Sequence, residues 1–296
     1  MKKIKRYILF VIILLTVISC KKYIDMKIPD KGRKPVINCL FEADSTFIVQ
    51  VFQSHFILDQ AQPQPVENAL VTITENESVT DTLVYSSQRY YTGLHLLPQI
   101  GKTYKIEAIV NGQSATGTET IPSLQTITKI DTLTHCTQDG DFFGFNVQIK
   151  DPAQETNYYL LKIEKTVSCY SGYSTITISA NSDDLSLDDQ WQGSYIINDN
   201  IFNGKTKVFP LDIALSNLYN YNDSINTFYI SLYSISKDYY LYAKTVQAQN
   251  YSGNSPFSEP IMVYNNIKNG YGIFAGASVY RYSIKVPSIG SGYPMK

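Results

Sequence analysis

Residues 103–120 read Thr103-Tyr104-Lys105-Ile106-Glu107-Ala108-Ile109-Val110-Asn111-Gly112-Gln113-Ser114-Ala115-Thr116-Gly117-Thr118-Glu119-Thr120. Tyr104, Ile106, Ala108 and Val110 share one side of a two-residue period and Lys105 and Glu107 the other, which predicts a strand with one buried and one wet face. Asn111-Gly112 then predicts a tight hairpin, because both central turn positions need positive φ and this pair tolerates it. Ser114 to Thr120 is the return strand.

Similar signals recur upstream. Thr46 to Phe52 alternates Phe47, Val49 and Val51 against Ile48, Gln50 and Phe52, a strand covered on both faces. Ala69 to Glu75 follows Pro65. Val36, Ile37, Cys39 and Leu40 give another apolar run, with Cys39 a buried thiol. About six or seven such strands over 35–122 predict an immunoglobulin-like or carboxypeptidase-regulatory-like β-sandwich, closed by Ile121-Pro122. Residues 123–296 predict a larger β-rich domain. Its strand signals lie at Phe145–Ile149, Tyr158–Lys165, Thr227–Ser234 and Val279–Val286. In the last of these Arg281 and Lys285 fall on the face opposite Tyr280, Tyr282 and Ile284, a pattern suited to an edge strand. One short helix is expected, capped by Ser236, with Asp238 in its first turn and Tyr239, Tyr242, Ala243 and Val246 on one face. The fold class is therefore mainly β. The polar stretch Asn181–Gly204 is expected to lie outside the core.

The N-terminus carries an address. Lys2, Lys3, Lys5 and Arg6 precede the apolar run Tyr7–Ile18, and Val17-Ile18-Ser19-Cys20 has the form of a lipobox, where a bacterial signal peptide is cut and the new terminal cysteine is acylated. Twelve residues rise only about 18 Å as a helix, short of the roughly 30 Å hydrocarbon core, so a retained transmembrane span is not expected. Residues 1–19 read as signal peptide and 20–34 as a lipidated tether, with Cys20 the lipidation site. A plain signal peptide with a chance cysteine is the rival reading. Several acyl chains on one cysteine anchor it stably, where a single chain does not. Four of the 25 basic residues fall before Cys20, leaving 21 against 26 acids, a balance of −5. That charge offers no basic stripe for nucleic acid.

Catalytic patterns were sought. His55, His95 and His135 stand isolated, without the local spacing of a zinc site. No phosphate-binding glycine loop or nucleophile elbow occurs. No cofactor, metal or enzymatic activity is expected. Asp183, Asp184, Asp188 and Asp189 read either as a solvated acidic loop or as oxygen ligands for calcium, in no known loop spacing. Cys136 and Cys169 either stay free or form a disulfide, which is worth about 3 to 4 kcal/mol on the chain-entropy model. The 24 tyrosines suit half-buried sheet faces or an aromatic ligand surface. Trp191, with Tyr195 after it, either covers the edge of its own sandwich or forms a binding surface.

The run Ser255-Pro256-Phe257-Ser258-Glu259-Pro260, followed by Val263-Tyr264-Asn265-Asn266-Ile267-Lys268-Asn269-Gly270-Tyr271-Gly272-Ile273-Phe274-Ala275-Gly276, resembles the closing signature of a Bacteroidota lipoprotein family, domain of unknown function 4249. Pro65-Val66-Glu67-Asn68-Ala69, Gly101-Lys102-Thr103-Tyr104, Ile121-Pro122 and the stretch Phe228–Gln249 agree with it. In this signature Asn269-Gly270 and Gly272 predict a tight turn, with Ile273-Phe274 re-entering the core. The resemblance implies an outer-membrane lipoprotein encoded beside a TonB-dependent transporter, hence a β-barrel partner, and it attaches no catalytic residues. Lys21-Lys22-Tyr23-Ile24-Asp25 holds one acid where surface-exported lipoproteins often carry two, so the leaflet stays open, with the cell surface favoured. The expectation is a non-enzymatic, lipid-anchored accessory of a TonB-dependent transporter that binds a ligand or a partner. Its rival is a structural accessory lipoprotein of an outer-membrane assembly or secretion complex. A third class, a surface hydrolase, would need a cleft with perturbed carboxylates.

Overall fold

The computed structural model describes residues 32–285 apart from 57, 58, 60, 61, 87, 138, 139, 170, 171, 188, 189, 219–226, 253–258 and 260. The leader, the tether and Cys20 lie outside the described residues, as does most of the Ser255–Pro260 run. The strands of the first half are β1 (Pro35–Glu42), β2 (Ile48–Gln53), β3 (Leu70–Glu75), β4 (Val79–Thr82), β5 (Val84–Tyr85), β6 (Tyr91–Thr92), β7 (Thr103–Val110) and β8 (Gln113–Thr120). Those of the second are β9 (Ile127–Thr137), β10 (Gly140–Lys150), β11 (Tyr158–Cys169), β12 (Gly172–Thr177), β13 (Gln190–Trp191), β14 (Ser194–Asn198), β15 (Thr206–Ala214), β16 (Thr227–Ile235) and β17 (Tyr271–Lys285). Two helices accompany them, α1 (Leu215–Leu218) and α2 (Lys237–Ser252). The chain is mainly β, as its periodicity predicts.

The opening hairpin forms as read. β7 and β8 pair from Thr103↔Thr120 to Val110↔Gln113, and Asn111 and Gly112 both take positive φ, 50° and 79°. These strands belong to a four-stranded sheet in the order β4-β3-β7-β8. A three-stranded sheet runs β15-β10-β9. The third sheet has ten strands, in the order β13-β14-β11-β16-β17-β1-β2-β6-β5, with β12 added to the far half of β11. The last strand of the chain therefore lies beside the first described one.

β17 is the splice. Its first half, Tyr271–Ala277, runs parallel to Val36–Glu42 of β1, and its second half, Ala277–Lys285, runs antiparallel to β16. Alternation then assigns faces. Phe274 joins a cluster with Ile37, Phe41, Phe47, Val71 and Tyr104, while Ile284 joins a second with Phe145, Leu161, Phe209 and Phe228. Both are even positions of β17, so the four-stranded and three-stranded sheets cover the same face of the large sheet at its two ends. Ala277 and Val279, the odd positions, meet Leu160, Trp191, Tyr233, Ile235 and Ala243 of α2, so the helix covers the opposite face.

Two expectations change. Val279–Lys285 is the second half of a strand that begins at Tyr271, and that strand lies inside the sheet order, not at its end. Only its later half lacks β1 as a neighbour, which is where the charged pattern occurs. The Asn181–Gly204 stretch contributes to the core: Ser194 to Ile197 of β14 are buried against β11. The apolar triplet Tyr195-Ile196-Ile197 was masked by its acidic surroundings. The C-terminal signature is a folding feature. Asn269 takes φ 59° and Gly272 φ 111°, and Ile273 and Phe274 are buried.

The splice is tightest at Gly272. A Cβ on Gly272 would stand 2.0 Å from the Ile37 carbonyl oxygen, in a backbone conformation that L side chains avoid. Gly272→Ala should destabilise the protein by about 3 kcal/mol or more, with both halves unfolding together. Urea unfolding followed by tyrosine fluorescence and circular dichroism checks this.

Candidate functional site

Trp191 and Tyr195 sit on β13 and β14, joined by a tight turn in which Gln192 and Gly193 take positive φ. Neither offers a surface. Trp191 is 8 % exposed and lies edge-on to Tyr239 of α2, ring centroids 5.7 Å apart. Tyr195 is 3 % exposed, and its hydroxyl donates to the Ala180 carbonyl. The structure thus corrects the binding-surface reading: the Trp sits beneath α2 because β13 brings it to the helix-covered face of the sheet. Other tyrosines behave alike. Tyr91 donates to the Val66 carbonyl at 2.7 Å, Tyr104 to Glu75 at 2.9 Å, and Tyr159 to buried Asp151 at 2.5 Å. Each fills the interior with its ring and ties down a loop or strand end with its hydroxyl.

A concavity opens instead where the two layer pairs meet. Three chain segments and Gly101 wall it: Thr120–Ser123 leaving β8, Glu155–Tyr158 entering β11, and Ser234–Lys237 between β16 and α2. Its volume is about 570 Å³, within the range of small-molecule sites. The lining mixes hydroxyl, amide and charged groups with Ile121, Pro122, Tyr158 and Ile235. Hydrogen bonds fix the walls. The Gln125 amide donates to Ser234 Oγ at 3.0 Å, Ser236 N to the Gly276 carbonyl at 3.2 Å, and Asn157 N to buried Asp199 at 2.6 Å.

Behind the floor lies a polar knot that sequence reasoning only half found. Ser236 caps α2 as predicted, accepting from Tyr239 N at 3.2 Å, and its hydroxyl donates to Glu119 of β8 at 2.5 Å. Asp238 accepts from the Tyr264 hydroxyl at 2.7 Å and from Asn266 Nδ2 at 2.8 Å. Asn266 also bonds the backbone of Phe274 in both directions. Burial pushes the Glu119 carboxyl up to about 7, with the Asp238 carboxylate adding to the rise, against the hydrogen bonds from Ser236, Thr120 and Gly276. Glu119 falls on the same side of β8 as buried Ala115 and Gly117, across from Tyr104, a placement that the two-residue period of this strand already contains.

The remaining candidates have structural roles. Asp184 holds Lys207 at 2.6 Å and accepts from Ser186, which keep its carboxyl below the usual range despite burial. Asp188 and Asp189 lie outside the described residues, and among those described no three His, Cys, Asp or Glu residues gather for a metal ion. Asp81, missed in the sequence, accepts from the amides of Leu94, His95 and Leu96 and secures that loop. His135 stacks on Phe142, with Nε2 3.7 Å from Asp212. Cys39 is buried, which pushes its thiol up. Cys136 is a free, exposed thiol opposite Asp141; the side chain of Cys169, its expected partner, lies outside the described ones. On the helix-covered face Arg281 bridges Glu42 and Glu164 at 3.6 and 3.8 Å, and Lys162 holds Glu164 at 2.8 Å.

Glu119 gives the knot a pH signature. Its folded value lies above the ordinary 4.5, so its contribution to stability is full below about pH 4.5 and is lost as pH rises through 7. Glu119→Gln keeps the neutral form at every pH. The variant should gain stability over wild type progressively as pH rises, from under about 1 kcal/mol at pH 5 to on the order of 3 kcal/mol near pH 8. Urea midpoints at three pH values measure the difference.

Comparison with curated proteins returns no match. The family described as Domain of unknown function (DUF4249) matches residues 21–283, which include every strand up to all but the last two residues of β17. The chain belongs to the DUF4249 family.

Proposed function

We propose that the protein is a lipid-anchored accessory subunit of an outer-membrane TonB-dependent transporter system, non-enzymatic, presenting a fixed surface to a ligand or to the barrel. The observation that carries this reading is the place of β1. Fourteen residues separate Cys20 from Pro35, a reach of at most about 50 Å and about 20 Å as a random coil. They lead directly into a strand held on both sides within the large sheet. A pull along the tether would load the β1–β17 hydrogen bonds in shear, all together. That arrangement suits a body kept close to a membrane and to a partner in it.

The carboxylates support a binding role over a hydrolytic one. Asp81, Asp151 and Glu164 accept hydrogen bonds, and Asp184 forms an ion pair with Lys207, that tie one segment to another. Glu119, the carboxyl pushed up near the cleft, does not line it and is engaged by Ser236 and Thr120. The first layer pair corresponds in this reading to an immunoglobulin-like or carboxypeptidase-regulatory-like spacer, and the cleft at its junction with the second is the recognition surface. The cell-surface leaflet is its proposed location.

Two measurements test the proposal. Cys20→Ala should move the protein from the membrane fraction to the soluble one, and mass spectrometry of native material should find acylated Cys20 at the N-terminus. Retention of the variant in membranes would remove the anchor. Native protein taken from detergent-solubilised outer membranes should co-purify with a β-barrel protein, and recovery without one would sink the transporter reading.

A further inference from the structure

Sheet edges are usually short, covered or bent. Among the described residues β12, of six residues, and the later half of β17 are open on one side, and β9 is the longest open edge. β13 and β5 have two residues each and β4 has four. The outer side of β8 is bridged by Lys268 at Thr116, and that of β15 by Asn181 at Asp212. β9 is different. It runs for 11 residues, and among the described residues it pairs only with β10. Thr128, Lys129, Asp131, Thr132, Leu133, Thr134 and Cys136 are all exposed, so among the described residues nothing overlays the strand from Asp131 to Cys136. Leu133 is 66 % exposed.

Its sequence is complementary to itself. Alternation puts Lys129, Asp131, Leu133 and His135 on the outer face, and Ile130, Thr132, Thr134 and Cys136 on the face of Val147 and Phe145. In an antiparallel pair with a two-fold axis at Leu133, Leu133 meets its own copy and Thr132 meets Thr134. Asp131 meets His135, and Ile130 meets Cys136. Apolar and threonine pairs directly across a ladder are favourable; like charges are not. An axis at Thr132 would set apolar Leu133 against the Asp131 carboxylate. An axis at Asp131 would set the carboxylate against itself. An axis at Ile130 satisfies Lys129 and Asp131, whose ammonium and carboxylate already pair at 2.7 Å within the strand, but it uses a shorter part of β9. A same-chain occupant is therefore favoured over a foreign strand, whose side chains nothing here selects.

We propose that β9 is a self-association edge: two copies pair antiparallel through it about Leu133, joining their three-stranded sheets into one six-stranded sheet. Such an interface is isologous and closed. It stands independently of the transporter reading, and its failure would leave that reading untouched.

Cross-strand cysteines on the two-fold axis lie about 4.5 to 5.5 Å apart between Cα atoms, within disulfide reach. Full-length protein in detergent, carrying Leu133→Cys in a Cys136→Ser background, should on oxidation form a covalent dimer. The yield should exceed tenfold that of Ile176→Cys, another exposed strand residue, and of Cys136→Ser alone. Leu133→Lys, which places two ammonium groups on the axis, should raise the dimer dissociation constant at least tenfold in sedimentation experiments. Its circular dichroism spectrum should match wild type. Wild-type protein that stays monomeric at its highest soluble concentration would overturn the proposal. So would equal cross-linking by Leu133→Cys and Ile176→Cys, an unaltered Leu133→Lys dimer, or capture of a foreign strand by a monomer at this edge.

Discussion

The parallel ladder between β1 and β17 is the constraint on which the rest of the fold depends. It joins the first strand after the tether to the last strand of the chain, across a loop of more than two hundred residues, so its closure carries a large entropic cost that local contacts cannot offset. What offsets it is burial on both faces. Phe274 packs against Phe41 and Phe47, ring centroids 4.7 and 6.5 Å apart, while Ala275 and Ala277 are wholly buried. Gly270, Gly272 and Gly117 allow that approach; a Cβ on Gly117 would fall 2.9 Å from that of Phe274. The two layer pairs are consequently one body, since each borrows half of the same strand.

Because the chain crosses itself in this way, long stretches must be secured where they leave a sheet. The solution repeats. A tyrosine hydroxyl or a buried carboxylate reaches from a strand to a loop: Tyr91 to Val66, Tyr104 to Glu75, Asp81 to the Leu94–Leu96 amides, and Asp151 to the Gly204 amide at 2.8 Å. Burying such groups costs several kcal/mol unless they are paired, and here they are. This accounts for the abundance of tyrosine without invoking an aromatic ligand surface. The ring supplies apolar area and the hydroxyl supplies a tie, which phenylalanine cannot do.

Local rules were legible and long-range ones were not. The β7–β8 hairpin, the Ser236 cap and the Asn269–Gly272 turn could be read because turn geometry and capping depend on a few adjacent residues. Strand partners lay beyond such rules. Val279–Ile284 shows its alternation openly, yet nothing within it says that the strand starts at Tyr271 and changes neighbour at Ala277. Gly272 was legible as a turn residue but not as part of a strand, and it and Ala275 are small so that another backbone or sheet can come close. Trp191 left two readings open because its neighbours are polar, and only the third dimension brings Leu160, Ile196 and Tyr239 around it. Alternation places Glu119 on the core face of β8, but the Ser236 end of α2 that caps it lies more than a hundred residues away.

A shared strand also limits how the cleft can work. Its walls belong to different layers, but Ser236 is bonded to Gly276 of β17 and Tyr158 pairs with Ile235, itself paired with Ala277 of that strand, and the Gln125–Ser234 and Asn157–Asp199 bonds hold the segments at fixed separations. Closure by rotation of one half against the other would require breaking the Tyr271–Ala277 ladder or the Phe274 packing, costs far above those of a hinge made from loop residues. Any ligand taken there would meet a surface that exists before binding, adjusted by side chains such as Lys237 and Glu155. A preformed site loses little conformational entropy on binding.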